Sequence, residues 1–227
     1  MEKDNTTASP AVDYEREVQS TIPFHACILQ EAVDAALSVR PSPARWLDTG
    51  CGPGRLAEMV AARCSAELTL ADPSTAMLAI ARARHPGIPA QRFLSMPSEA
   101  LTAQSWFDVV TAIQCHHYGD TAARAKAVAR CFDALVPGGV FVVFENVRAE
   151  TDAWQAVARQ RWAAWQRARG RDETAVVQHL AREGTKFFPI RVSEHLALLS
   201  RTGFATVEVL WRAYSQAGFV CIKAGSL

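Results

Sequence analysis

Apolar residues recur at three- and four-residue spacing between 13 and 39 (Val18, Ile22, Ile28, Leu29, Val33, Leu37), and Pro23 is placed to begin a helix. Two helices joined near Thr21 are therefore expected. A Pro-containing break from Arg40 to Ala44 leads into Trp46-Leu47-Asp48-Thr49-Gly50, a run of strand length closed by a glycine turn. Strands and helices then alternate: helix Pro53 to Arg63, strand Leu68 to Asp72, helix Ser74 to Arg84, strand Ala90 to Leu94, strand Phe107 to Ile113. Helix Thr121 to Leu135 and strand Val140 to Phe144 continue the series. Such alternation implies right-handed crossovers and a mainly parallel sheet covered on both faces, so the fold class is α/β. From Arg148 to about Lys186 the pattern becomes a long helical insert rich in Trp and Arg. A helix from Ser193 to Arg201 and strands at Ala205 to Leu210 and Ala217 to Ile222 follow.

Composition narrows this picture without naming a partner. The 227 residues carry 24 Lys+Arg against 23 Asp+Glu, a balance that argues against a chain devoted to coating a polyanion or an anionic membrane. With 49% apolar residues the chain reads as one globular domain. At this length about 70% of the unfolded surface is typically buried, so no disulfide or structural metal is needed. The six cysteines show no CxxC or zinc-ligand spacing, which suits buried thiols in a reducing compartment. The polar amino end has no apolar run behind it, and no stretch approaches the roughly 18 apolar residues of a membrane helix. The expectation is a cytoplasmic protein that does not associate with membranes.

The chemistry concentrates at Asp48-Thr49-Gly50-Cys51-Gly52-Pro53-Gly54-Arg55, between the first strand and its crossover helix. Ligands of doubly wound sheets bind outside the carboxyl ends of strands, where this turn lies. A dinucleotide fingerprint would need Gly or Ala three positions beyond Gly52, and Arg55 stands there; no Gly-Lys-Ser/Thr follows for a Walker loop. Asp72, 22 residues after Gly50, ends the second strand, where a carboxylate can accept hydrogen bonds from a ribose diol. A ribose without a pyrophosphate suggests a nucleoside-type ligand.

These residues resemble the class I S-adenosylmethionine-dependent methyltransferases, of small-molecule type. The resemblance extends through Phe107-Asp108-Val109-Val110 and Leu135-Val136-Pro137-Gly138-Gly139, covering about residues 45 to 145. It implies a Rossmann-like, seven-stranded, mainly parallel sheet with helices on both faces and a helical cap. Residues 1–40 would be lid helices, 41–147 the cofactor-binding core, 148–190 the cap insert, and 191–227 the helix and strands completing the sheet, in one domain. It further implies that Gly50, Cys51 and Gly52 border the methionine part of S-adenosylmethionine, that Asp72 holds the ribose, and that Asp48 braces the turn and the cofactor ammonium. Pro73 and Met77 would flank the adenine, and Arg55 is a candidate for the cofactor carboxylate. Met96 stands where many members carry an acid for the adenine amino group; with Pro97 it is assigned to apolar adenine contact. Tyr14 resembles part of a lid over the cofactor.

Methyl transfer from a sulfonium needs orientation, exclusion of water and, for some acceptors, a base. The segment Gln114-Cys115-His116-His117-Tyr118 should face the transferred methyl, with Gln114 beside the cofactor and His116 or His117 as the base. Tyr118, Glu145, Asn146 and Trp154 are assigned to the acceptor, and no metal is expected. The expected function is methylation of a small molecule. Interleaved Arg and Trp in the insert leave an RNA-modifying enzyme of the same fold open, though nucleic acid is disfavoured against an amphipathic cap. A non-catalytic S-adenosylmethionine sensor is the third reading.

Overall fold

The computed structural model describes residues 10–225. The polar stretch at 1–9, part of the expectation of no export signal, lies outside the described residues. Helices α1 (Tyr14–Thr21) and α2 (His25–Val39) open the chain. Then come β1 (Arg45–Thr49), α3 (Arg55–Ala61), β2 (Glu67–Ala71), α4 (Thr75–Arg84), β3 (Phe93–Leu94), β4 (Phe107–Ile113), α5 (Thr121–Ala134) and β5 (Leu135–Arg148). The insert holds α6 (Asp152–Ala168) and α7 (Glu173–Leu180), and β6 (Ile190–Arg191), α8 (Val192–Thr202), β7 (Thr206–Ala213) and β8 (Gln216–Ile222) complete the fold.

Strand order is β3-β2-β1-β4-β5-β8-β7, with two-residue β6 pairing off this path with β5. β1 to β5 pair in parallel, and β8 lies antiparallel between β5 and β7. The expected seven-strand sheet is thus present with one short addition. β3 is shorter than the run 90 to 94 suggested, because Ala90–Arg92 form a 3-10 turn after Pro89 and only Phe93 of the stretch is buried.

Alternation along the strands divides the core into two layers. Trp46, Val109, Val140, Val142 and Phe144 pack with α2, α3 and α4 on one face; Leu47, Val110, Phe141 and Val143 pack with α5 and α8 on the other. Full burial of each large side chain contributes roughly 1.5–3 kcal/mol. Local signals set the helix starts: Ser74, Asp120 and Asp172 accept the N–H groups of Met77, Ala123 and Ala175 at 3.1, 2.8 and 2.8 Å, each satisfying an otherwise orphaned donor. The break between α6 and α7 falls at Gly170, whose φ of +80° suits glycine. No helix among the described residues is long and apolar enough to cross a membrane.

Strand order reverses direction between β1 and β4, so their carboxyl ends splay and open a crevice. The insert covers it: Trp162 Nε1 donates to the Thr21 carbonyl at 2.8 Å, and Arg171 Nη1 donates to Thr21 Oγ1 at 2.7 Å, which ties the insert to α1.

Candidate active site

The crevice is a cavity of about 230 Å³. Its floor is the turn after β1, where Gly50 and Gly52 have φ of +68° and +52°. A Cβ on Gly50 would lie 2.4 Å from the Cys115 Cβ, whereas one on Gly52 would meet no atom within 4 Å. Gly50 is therefore required by packing, and Gly52 leaves open space beside bare main chain. Asp72 lines one wall; its Oδ2 accepts the Gly52 N–H at 2.8 Å and its Oδ1 the Ser74 N–H at 2.9 Å. Pro73, Met77, Pro97, Ser98 and Glu99 continue that wall, and Tyr14 from α1, Gln114, His116 and Tyr118 face it.

Asp48 lies beneath the turn, 3% exposed, with Thr111 Oγ1 donating to its Oδ1 at 2.8 Å. Burial, partly offset by that hydrogen bond, raises its pKa to about 7. Cys51 is buried, and burial pushes its thiol well up, so it acts as a small core residue whose main chain shapes the turn.

A second, smaller cavity of about 40 Å³ adjoins the first and shares Tyr14, Gln114 and Tyr118 with it. Asn146, His179, Arg182 and Phe187 are among its other walls. Gln114 stands between the two with φ of +57°, unusual for a residue with a side chain, and its amide has no hydrogen-bond partner among the described residues.

Several expectations are corrected. Arg55 points away: half-exposed, it pairs with Glu58 at 2.6 Å and lines neither cavity. Met96 packs in the apolar layer under the sheet, and Glu99, three residues on, supplies the acid at the cleft. Trp154 is 50% exposed and borders an open outer surface with Phe24 and Arg161, because Trp162 and Trp165 occupy the buried face of α6. His117 does not line the cleft. Its Nδ1 is 2.6 Å from Glu145 Oε2, and its Nε2 is 3.2 Å from Asn146 Nδ2, whose partner Oδ1 accepts from Gln216 at 3.1 Å. Both ring nitrogens of His117 are therefore engaged within the protein.

Glu145, also expected at the acceptor, is fully buried below it, accepting the N–H groups of His116 and His117 at 3.0 and 2.7 Å. Burial pushes its carboxyl up, but the charge and hydrogen bond of His117 outweigh this and hold it at about 2. It therefore fixes the turn carrying His116 and Tyr118. His116 does line the larger cavity, with Nε2 3.0 Å from Ser98 Oγ.

Sequence reasoning missed Glu99, Arg124, His179 and Arg182 as cavity walls. Val176 and His179, three apart on the buried side of α7, were a legible signal: a polar residue on an apolar face.

Acidification has a stability signature. Burial, helped by Arg171 and Arg182, holds His179 at about 3, and burial holds His195 at about 4. The folded state thus refuses protons that the unfolded chain takes up at these two residues, and also at His25 and His116, as pH falls through ~6.5. Asp48 has the opposite sign, since the folded state keeps a proton that the unfolded chain releases above ~3.9. From pH ~6 to ~4.5 unfolding takes up more protons at the histidines than it releases at Asp48, so stability falls as pH falls, by about 1.4 kcal/mol per unit for each net proton. Asp48→Asn should steepen that slope by about 1.4 kcal/mol per unit. Urea denaturation across this range checks both; a flat slope, or no change in the variant, contradicts the assignment.

Comparison with known proteins agrees with this geometry. Residues 47–139 match a family model described as a methyltransferase domain. The carboxy-S-adenosyl-L-methionine synthase of Wolinella succinogenes is 29% identical over 210 residues, covering 89% of this chain and 86% of the relative. Among solved structures, the fold resembles the Burkholderia thailandensis 1,6-didemethyltoxoflavin-N1-methyltransferase with bound 1,6-didemethyltoxoflavin and S-adenosylhomocysteine. That match has a TM-score of 0.62 and 16% identity, covering 94% of this chain and 84% of the other. An N-methyltransferase from Bradyrhizobium japonicum in complex with S-adenosylhomocysteine matches at TM-score 0.60 and 15% identity, covering 96% and 93%.

Proposed function

Since this chain belongs to the class I S-adenosylmethionine-dependent methyltransferase family, we propose that it methylates a small acceptor held in the cavity at the ends of β4 and β5. The cofactor supplies an electrophilic methyl group on a sulfonium that is already a good leaving group. What remains for the protein is positioning and exclusion of water. The residues fit that cofactor: Asp72 offers a carboxylate for the ribose hydroxyls and Gly52 open main chain, while Asp48, buried beneath the turn and lining neither cavity, braces the turn and does not reach the ammonium. Glu99 and Met77 border the adenine end, and Tyr14 covers the cleft.

The observation that carries the proposal is the sharing of Tyr14, Gln114 and Tyr118 between the cleft and the small cavity. A volume of about 40 Å³ holds on the order of three waters, which suits one small ring or a short chain. An RNA acceptor finds less support, because Trp162 and Trp165 are buried and Arg148 and Arg167 pair with Asp152 and Glu173. With His117 engaged by Glu145 and Asn146, His116 is the remaining candidate base.

A second reading is favoured by the similarity to carboxy-S-adenosyl-L-methionine synthases and by Arg182 on the wall of the small cavity, a residue type suited to a carboxylate. In that reading a carboxylic acid held at Arg182 gives up its carboxyl group as CO2 when its C–C bond breaks; the sulfonium methyl bonds to that CO2, and its displaced proton goes to the carbanion left on the acid. Mass spectrometry after incubation with S-adenosylmethionine and a metabolite extract separates the two. A methylated metabolite with S-adenosylhomocysteine supports the first, carboxylated cofactor the second, and turnover confined to RNA at low salt contradicts both.

A further inference from the structure

We propose that His179 recognises the acceptor's polar group, and that the acceptor is a small flat molecule presenting a hydroxyl, amine or ring nitrogen to it. This rests on the reading that the small cavity holds the acceptor. His179 is 6% exposed on α7, lines that cavity, and has no hydrogen-bond partner at either ring nitrogen among the described residues. Buried polar groups are almost always paired, so an unpaired imidazole facing a cavity points to a ligand.

Its ring is fixed by packing alone, edge-on to Trp162 at 5.1 Å and nearly parallel to Phe187 at 6.0 Å. The Gln114 amide is a second unpaired, buried polar group on the same cavity, 7% exposed. Both are set among the aromatic walls of Tyr14, Tyr118 and Phe187. Few polar groups among aromatic walls select a flat ligand by stacking and orient it by hydrogen bonds. Burial and the charges of Arg171 and Arg182 keep the imidazole neutral, so it offers one donor and one acceptor and serves as a recognition group.

The test uses the full chain loaded with S-adenosylhomocysteine and two probes of similar shape, phenol and fluorobenzene, titrated by NMR. Phenol should bind about five-fold more tightly than fluorobenzene, the discrimination expected of one hydrogen bond. In His179→Phe that preference should fall to near unity with S-adenosylhomocysteine affinity unchanged. His179→Asn, which keeps a donor and an acceptor, should retain part of it and guards against a folding artefact. A preference that survives in His179→Phe overturns the proposal, as does a loaded wild-type protein that shows none because water alone satisfies the ring. If S-adenosylhomocysteine itself fails to bind, the cofactor reading beneath the proposal fails, and the proposal with it.

Discussion

Asp72→Asn is expected to lower affinity for S-adenosylmethionine by about 100-fold, read by calorimetry, with a stability loss of about 1–3 kcal/mol that leaves the protein folded. The carboxylate stands at the end of β2 on the cleft wall, and both its oxygens already organise the site, one on the Gly52 N–H and one on the Ser74 N–H. A carboxylate at the end of this strand is the acceptor a ribose diol calls for. Hydrogen bonds to a charged acceptor are worth roughly 1.5–3 kcal/mol each, so weakening two accounts for at least ~3 kcal/mol. Asparagine keeps one acceptor oxygen but sets an NH2 against donors. Affinity within about three-fold of wild type would remove Asp72 from the site.

The glycine pair gives the second large effect, because the two positions fail for different reasons. Gly50→Ala places a methyl 2.4 Å from the Cys115 Cβ and 2.6 Å from its Sγ, at a φ of +68°. Overpacking and left-handed backbone together should cost on the order of 3 kcal/mol of stability, and binding falls with the fold. Cys115→Gly removes both opposing atoms and should recover part of the loss. Gly52→Ala meets nothing within 4 Å, so its stability cost is limited to about 1 kcal/mol of backbone strain. Its methyl enters the open side of the turn, and cofactor affinity should fall at least ten-fold while the protein stays folded. Equal stability losses at both positions would contradict the packing difference, and unchanged cofactor affinity in Gly52→Ala would show that no ligand approaches the open space beside it.

The parts of the site legible in the sequence are those fixed by local chemistry. A left-handed turn demands glycine at Gly50 and Gly52, and a strand-ending acid followed by the Ser74 cap marks Asp72 within a few residues of chain. The sheet was legible too, because strands buried on both faces, such as Val140 to Phe144, cannot be amphipathic. What adjoining histidines do was not legible, since the direction of His117 is set by Glu145, 28 residues away, through tertiary packing. Glu145 itself stood inside an apolar strand run, a signal of a buried and therefore paired carboxylate. Arg55 lay three residues before Glu58, the spacing of a surface ion pair, and that local pairing prevailed over a longer reach. His179 and Arg182 reach the cavity only because the insert folds back onto α1 through Trp162 and Arg171, contacts that span more than 140 residues.

A crystal structure of the full chain with S-adenosylhomocysteine is the most direct measurement. The ribose hydroxyls should lie on the Asp72 carboxylate, the amino-acid tail along Gly52, and the sulfur beside Gln114, opening toward the cavity walled by Tyr118 and His179. A nucleoside bound elsewhere, or one whose sulfur faces away from Gln114, would contradict the account.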